Sequence, residues 1–159
     1  MSDNYLRLIP TDAHFVPTEC AVRSAVAFLR PSVPAADNLE VETYARPIFV
    51  DQGTNLEAIR CPRCGMTSSL HGPAGQDVQR WWDAVTDSID EHTVTELVVT
   101  MPCCKAEVPF ATLSFEWPAG IASFEISILN PGVSGLDERL VAKLEHMLGC
   151  KLRQIWAHY

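Results

Sequence analysis

The sequence contains the stretch CPRCG at residues 61–65 and the stretch MPCCK at residues 101–105. In the first stretch, two thiols three positions apart on a tight turn can reach one ion, and Gly65 permits the positive φ that such a turn requires. The second pair follows after 38 intervening residues (65 to 102), which is enough for a helix and one strand of a hairpin. This spacing predicts a structural Zn²⁺ site whose ligands are Cys61, Cys64, Cys103 and Cys104.

The Cys-Pro-x-Cys-Gly half of this pattern resembles the knuckles of the rubredoxin and zinc-ribbon superfamily. The resemblance covers residues 61–65 and, loosely, 102–105, and it implies a bound metal but no particular activity. The second pair departs from the pattern because Cys103 and Cys104 are adjacent, and adjacent side chains in a strand point to opposite faces. Both thiols can bind one ion only if the backbone turns sharply there, which Pro102 favours.

Other kinds of site stay open at this stage. His71 or His92 could replace one thiol of the second pair, and buried free thiols, iron in place of zinc, or redox chemistry are further alternatives. A catalytic zinc keeps one position open and usually has a carboxylate nearby, for which Glu91 and Glu96 are within reach along the sequence. Four thiolates would fill the coordination sphere, so the pattern favours a structural ion. A redox Cys-x-x-Cys normally opens a helix, and residues 66–72 have no helical period.

Working outward, the residues before the first pair predict a strand, a helix and a strand. The first strand spans residues 5–9, and a helix extends from an N-cap at Thr18 to a stop at Pro31. The second strand spans residues 41–50, where Pro47 indicates an edge position or a bulge.

The residues after the second pair repeat this order. The alternation of apolar and polar residues over 123–128 predicts a half-buried strand. A helical stripe of leucine and valine follows, with Ser134 and Asp137 resembling a capping box and Gly149 at the position of a C-cap. The final strand is predicted over residues 152–159.

Two β-α-β units in sequence predict an α+β fold, a ferredoxin-like β-α-β/β-α-β sandwich in which four strands carry both helices on one face. The whole chain, 1–159, is then a single domain. Residues 57–118 form an inserted zinc-ribbon-like subdomain between the second and third core strands.

The insertion is predicted to contain a helix of its own. Apolar residues recur at helical spacing from Val78 to Ile89 and include Trp81 and Trp82. Core packing is the simplest role for these tryptophans, although only one of two neighbours needs to face the core, so the other can mark a contact surface. Cys20 and Cys150, on or beside the predicted core helices, are expected to be small buried side chains.

Composition restricts the classes of partner. The chain has 20 acidic and 12 basic residues and a net charge of −8, and residues 57–104 hold seven of the acids and three of the bases. This sign disfavours nucleic acid. The sequence has no signal-peptide pattern and no apolar run long enough to span a membrane, so we expect a cytoplasmic protein, in whose reducing compartment close cysteine pairs favour metal over disulfides.

These patterns together predict a non-catalytic, zinc-stabilised cytosolic binding or adaptor protein. Its partner is expected to be a protein with a basic surface, in an immunity-like or regulatory role. A thiol redox or metal-dependent enzyme that uses the Cys/His cluster is the alternative, and nucleic-acid binding through the zinc module is the second. The final strand, residues 152–159, would lie at a sheet edge, where it could pair with a second copy to form a homodimer.

Overall fold

The computed structural model describes residues 2–159, apart from the side chains of Asp90 and Glu91. Within these residues the protein is, as predicted, a mixed α/β protein, with three α-helices and antiparallel sheets. The elements are β1 Asn4–Pro10, α1 Glu19–Leu29, β2 Asn38–Val50, β3 Ala58–Arg60, β4 Thr67–Ser69, α2 Gly75–Glu91, β5 Val98–Thr100, β6 Glu107–Pro109, β7 Ser114–Phe115, β8 Gly120–Leu129, α3 Glu138–Leu148 and β9 Leu152–His158.

The largest sheet has four strands in the order β2-β8-β1-β9, so β1 lies between β8 and β9. Leu6 of β1 is opposite Ile128 of β8 and Trp156 of β9. Helices α1 and α3 pack against each other and against the face of the sheet that carries Leu6 and Ile128. The resulting first core consists mainly of Leu6, Leu8, Ala25, Leu29, Phe124, Ile126, Ile128, Leu144 and Leu148.

Local signals set the ends of both helices in this layer. Thr18 caps α1 as predicted, since its Oγ1 accepts a hydrogen bond from the N–H of Ala21 at 3.3 Å. Helix α3 ends at Gly149, whose φ of 76° is the left-handed conformation predicted for a C-cap. The capping box predicted at Ser134 is wrong, because Asp137 is itself the N-cap and its carboxylate accepts from the N–H of Leu140.

The two edges of this sheet are both protected. Strand β2 has a register shift between Thr43 and Ile48, which confirms the irregularity predicted from Pro47. On β9, the N–H of Leu152 donates to Glu145, and the N–H and C=O of His158 bond to the segment Gln52–Thr54. These contacts occupy part of the edge that a second copy would need for strand pairing.

Strand β8 is buried on both faces, which differs from the predicted half-buried strand. Ser123, Glu125 and Ser127 are all buried. The Glu125 carboxylate accepts a hydrogen bond from the Tyr44 hydroxyl at 3.3 Å and lies 3.4 Å from Arg7 Nε. Burial raises the pKa of Glu125, against the opposing effect of Arg7. The prediction of a half-buried strand from this alternation is wrong because long side chains from β1 and β2 cover the polar face of β8.

Glu145 links the end of α3 to the start of β9, and this link predicts a pH dependence of stability. Its carboxylate accepts from Lys151 Nζ at 2.8 Å and from the N–H of Leu152 at 3.0 Å, and these bonds lower the pKa of Glu145. The stabilisation is therefore fully present above the ordinary glutamate pKa of about 4.3 and is lost as the pH falls through the lower folded value. We expect Glu145→Gln to lower the free energy of unfolding at neutral pH, and this difference from the wild type to disappear in acid. Urea titrations at several pH values measure it, with exposed Glu116→Gln as the control; a difference that is independent of pH would contradict the assignment.

The segment between β2 and β8 builds a second core on two smaller sheets. One sheet has the order β4-β3-β7 and the other pairs β5 with β6, and α2 packs against them through Trp82 and Val85. The second core consists of Ile59, Cys61, Trp82, Val85, Val94, Leu97, Val99, Met101, Val108, Phe110 and Leu113. No helix within residues 2–159 is long and apolar enough to cross a membrane.

Candidate metal centre

The first cysteine pair lies on the hairpin between β3 and β4. The N–H of Cys61 donates to the C=O of Met66 at 2.9 Å, and the N–H of Gly65 donates to the C=O of Cys61 at 3.0 Å. Gly65 has a φ of 75°, as the sequence required for a tight turn at this position. The turn brings Cys61 and Cys64 to the same side of the hairpin.

The second pair lies on a hairpin of the same form, between β5 and β6. The N–H of Met101 donates to the C=O of Ala106 at 2.9 Å, and the N–H of Lys105 donates to the C=O of Met101 at 3.1 Å. Lys105 has a φ of 61°, which corresponds to Gly65 in the first hairpin. The sequences of the two turns align as CPRCGM and MPCCKA, with proline at the second position of each.

This correspondence explains how adjacent cysteines can serve one site. Cys104 occupies the same turn position as Cys64, but Met101 stands where the first hairpin has Cys61. Cys103 supplies the missing thiol from the position of Arg63. Because residues 102–104 form a turn rather than a strand, the alternation of side chains between two faces does not apply to them.

The four thiols form one compact cluster. Sγ of Cys61 lies 3.8 Å from Sγ of Cys104, Sγ of Cys64 lies 3.5 Å from Sγ of Cys103, and all four sulfur atoms lie within 4.8 Å of one another. A Zn–S bond of about 2.3 Å gives a tetrahedron with an edge of about 3.8 Å. The donor set and its spacing therefore fit a tetrahedral metal ion, and the predicted residues are close enough together to hold one.

The backbone around Cys61 favours its thiolate. The N–H groups of Arg63 and Cys64 point at Sγ of Cys61, at 3.4 and 3.5 Å. These bonds, that of Cys64 above all, lower the pKa of Cys61 to about 7. At Cys103, burial above all and the hydrogen bonds with the neighbouring thiols raise the pKa to about 12, because both favour the uncharged thiol. A divalent cation would remove that penalty, since metal binding displaces the thiol protons.

The thiol cluster is anchored to the second core through the first residue of each turn. Cys61 is 1% exposed and Met101 is fully buried, so the first residue of each turn anchors its hairpin in the second core. Trp82 stacks on Phe110 at 6.3 Å between ring centroids, and Nε1 of Trp81 donates to the C=O of Thr100 at 2.7 Å. The two tryptophans thus divide as predicted, with Trp82 buried and Trp81 half-buried beside the second hairpin.

The other residues considered from the sequence lie apart from the thiols. Among the described residues, the close ligand group contains the four cysteines and neither His71 nor His92. His92 instead lies with its Nδ1 3.1 Å from the C=O of Ser88. The side chain of Glu91 lies outside the described residues. The prediction that Cys20 is buried is wrong, because Cys20 is exposed on α1, whereas Cys150 is half-buried against the first core.

The role of Met101 and Lys105 in the second hairpin was not foreseen from the sequence. The signal available in the sequence was the alignment of CPRCGM with MPCCKA, in which proline and cysteine recur at equal positions, whereas the positive φ shared by Gly65 and Lys105 is seen only in the structure. No protein family, curated protein or solved structure that was compared with this chain matches it.

Proposed function

We propose that this protein is a non-catalytic, zinc-stabilised binding or adaptor protein that acts in the cytoplasm on a protein partner with a basic surface. The observation that carries this proposal is the closed set of four thiols, one of which is buried in the second core. Such a set holds Zn²⁺ as a structural ion. Zn²⁺ supplies the second core with a crosslink between its two hairpins when it is bound.

Full thiolate coordination argues against a metal-dependent enzyme. A catalytic zinc has three protein ligands and an open position for water or substrate, whereas here four sulfur atoms lie within 4.8 Å of one another and could together fill a tetrahedral site. The thiol redox alternative rests on the short Sγ–Sγ distances and the exposure of Cys64 and Cys104. A Cys104→Ser variant distinguishes the structural-zinc hypothesis from the two enzyme hypotheses. If the variant loses both zinc and the stability of the second core, the structural role is supported. If the fold stays intact and an activity is lost, an enzyme is supported.

The architecture proposed for this function is a ferredoxin-like platform with an inserted metal unit in one domain. The strand order β2-β8-β1-β9, with α1 and α3 on one face, supports the platform. The second core, formed by residues between β2 and β8, supports an insertion over residues 57–118. An insertion at that point extends one end of the sheet and presents the metal unit to a partner.

Charge supports a basic protein as the partner. The chain carries a net charge of −8, and a tetrathiolate zinc centre adds about −2 to the insertion. Helix α2 exposes Asp77, Asp83 and Asp87 on its surface. A surface of this sign accelerates association with a basic surface and repels nucleic acid, which is the second alternative. A homodimer through β9 is less favoured, because intrachain contacts occupy part of that edge.

The proposal predicts salt-dependent association with a partner obtained from the native cells by crosslinking and gentle purification without a chelator. We expect a double change, Asp83→Asn with Asp87→Asn, to lower the association rate constant several-fold at low ionic strength and to have little effect at high ionic strength. Glu40→Gln with Glu42→Gln removes the same charge from the exposed face of β2 and is the matched control. Equal effects of the two pairs, or association that is independent of salt, would contradict a role for the acidic helix. Tight binding of DNA or RNA at low salt would instead support the nucleic-acid alternative.

A further inference from the structure

A small cavity separates the second core from the end of strand β1. Its volume is about 180 Å³, and its walls come from the chain after β1, from the start of β8 and from the segment that contains Phe110. The apolar part of the wall is formed by Ile9, Phe49, Phe110, Leu113, Phe115 and Ile121. The described residues that line the cavity include none of the four cysteines, so it is separate from the candidate metal centre.

Three phenylalanine rings give this cavity an aromatic wall. The rings of Phe49 and Phe110 meet edge to face at 5.1 Å, and those of Phe49 and Phe115 lie 5.7 Å apart at an angle of 38°. Both separations lie in the range that aromatic pairs prefer, so a further flat ring could add contacts of the same kind. An apolar cavity of about 150 Å³ is large enough to hold benzene. The volume here therefore admits one six-membered ring and a small substituent.

Arg153 gives the cavity a single positive charge. It is the one charged residue among the described residues that line the cavity, whose other polar side chains are those of Thr11 and Thr95. Arg153 Nη1 donates to the C=O of Ala119 at 2.7 Å, and a Cβ on Gly120 would lie 2.6 Å from Cδ1 of Ile9 and 3.3 Å from the same nitrogen. The glycine thus leaves room for the side chain of Ile9 and for the guanidinium beside the cavity. A guanidinium has five N–H donors in a planar fork that matches a carboxylate, so the bond to Ala119 leaves capacity for an anion.

We propose that this cavity binds a small aromatic carboxylate, with its ring among Phe49, Phe110 and Phe115 and its carboxylate at Arg153. The ring contacts the apolar wall, and the negative charge meets the guanidinium of Arg153. A phosphate ester fits less well, because the lining offers one cation and no helix N-terminus. Ile9 belongs to a small cluster with Val50, Ala122 and Ile155, whereas Phe110 belongs to the second core. The ligand would therefore contact the four-stranded sheet and the second core at once.

The test is an amide NMR titration of the full-length, zinc-loaded protein with benzoate. Benzyl alcohol keeps the ring without the charge, and cyclohexanecarboxylate keeps the charge without the flat ring. We expect benzoate to shift the amides of Phe110, Phe115 and Gly120 and to bind about two- to fivefold more tightly than benzyl alcohol, because solvent screens a carboxylate that pairs with the exposed Arg153. Cyclohexanecarboxylate should bind more weakly than benzoate. No shift of these amides by millimolar benzoate would overturn the proposal, and equal affinity for benzoate and either comparator would overturn the part of the assignment that the comparator tests.

Variants at Arg153 test the recognition of the carboxylate. Arg153→Met should lower the affinity for benzoate to that for benzyl alcohol, and Arg139→Met on the exposed side of α3 should leave both affinities unchanged. Because Arg153→Met also removes the bond to Ala119, Arg153→Lys serves as the second variant, in which a retained cation should preserve the preference for benzoate. A preference that survives in Arg153→Met, or that is lost equally in Arg139→Met, would contradict the role of Arg153. The zinc content of these variants should stay unchanged, so a failure of benzoate binding is distinguishable from a failure of the zinc site.

Discussion

Replacing Cys61 by serine is expected to remove zinc from the protein. Cys61 is the buried member of the four thiols, and its Sγ lies 3.8 Å from that of Cys104. Loss of a residue that only hydrogen-bonds to a metal ligand typically lowers metal affinity by about 10–100-fold, so loss of a ligand itself should lower it by about 100-fold or more. The metal content of the purified variant measures this directly.

The same variant should also loosen the second core while the first core stays folded. We expect the amides of β5 and β6 to lose protection against hydrogen exchange, because the two hairpins are no longer joined by the metal. The amides of β1 and β8 should keep their protection, since they belong to the first core. Cys20→Ser is the matched control, as Cys20 is exposed on α1 and lies outside the cluster. Retention of one zinc by Cys61→Ser, or loss of zinc from Cys20→Ser, would show that the ligand set is wrong.

Truncation of Trp82 to alanine is expected to destabilise the second core by about 3–5 kcal/mol. Trp82 is 7% exposed, and its ring contacts those of Phe49, Phe110 and Phe115 at centroid distances of 5.8 to 6.3 Å. Removing the indole leaves a cavity beneath the two hairpins, although all four thiols remain. Zinc release followed through a urea titration reports the stability of this core, and its midpoint should fall in the variant.

Trp117→Ala is the matched control for this substitution. Trp117 is 41% exposed, so its truncation should change the free energy of unfolding by about 0.5 kcal/mol or less. In the folded state, both variants should bind one zinc ion, because neither substitution removes a thiol. An equal shift of the midpoint in both variants would mean that Trp82 does not support the metal unit as described.

Elements with strong periodicity or clear end signals were predictable from the sequence. Helix α1 begins at its Thr18 cap, and α3 ends at Gly149. Both helices bury one apolar stripe, so local sequence and tertiary packing favour the same structure. The irregularity of β2 followed from Pro47, which cannot donate to a strand ladder.

Short strands and long-range burial were not predictable in the same way. Strands β3, β4 and β7 have two or three residues each, and β4 consists only of Thr67, Ser68 and Ser69. Their pairing depends on the turn over residues 61–66 and on packing in the second core, and a window of three residues has no period of its own. The burial of Glu125 likewise depends on Arg7 and Tyr44, which are distant in sequence.

The candidate site was predicted in its residues but not in its geometry. The first pair has the spacing of a knuckle, and Gly65 marks the turn. The second pair departs from the knuckle pattern because Cys103 and Cys104 are adjacent, so the sequence required a sharp turn there without defining its form. Their placement depends on Met101, which occupies the buried position of a missing cysteine, and on the positive φ of Lys105. The alignment of the two turns shows the shared proline, but the burial of Met101 and the positive φ of Lys105 are visible only in three dimensions.

The most direct test of the central claim is native mass spectrometry of the protein purified from its own cells without chelator. The four-thiol site predicts one zinc ion per chain, and the same measurement on Cys61→Ser should find the chain without metal. A metal-free wild-type chain that is lighter by two protons for each disulfide would contradict the zinc site and favour thiol redox chemistry, and one iron per chain would contradict the identity of the metal.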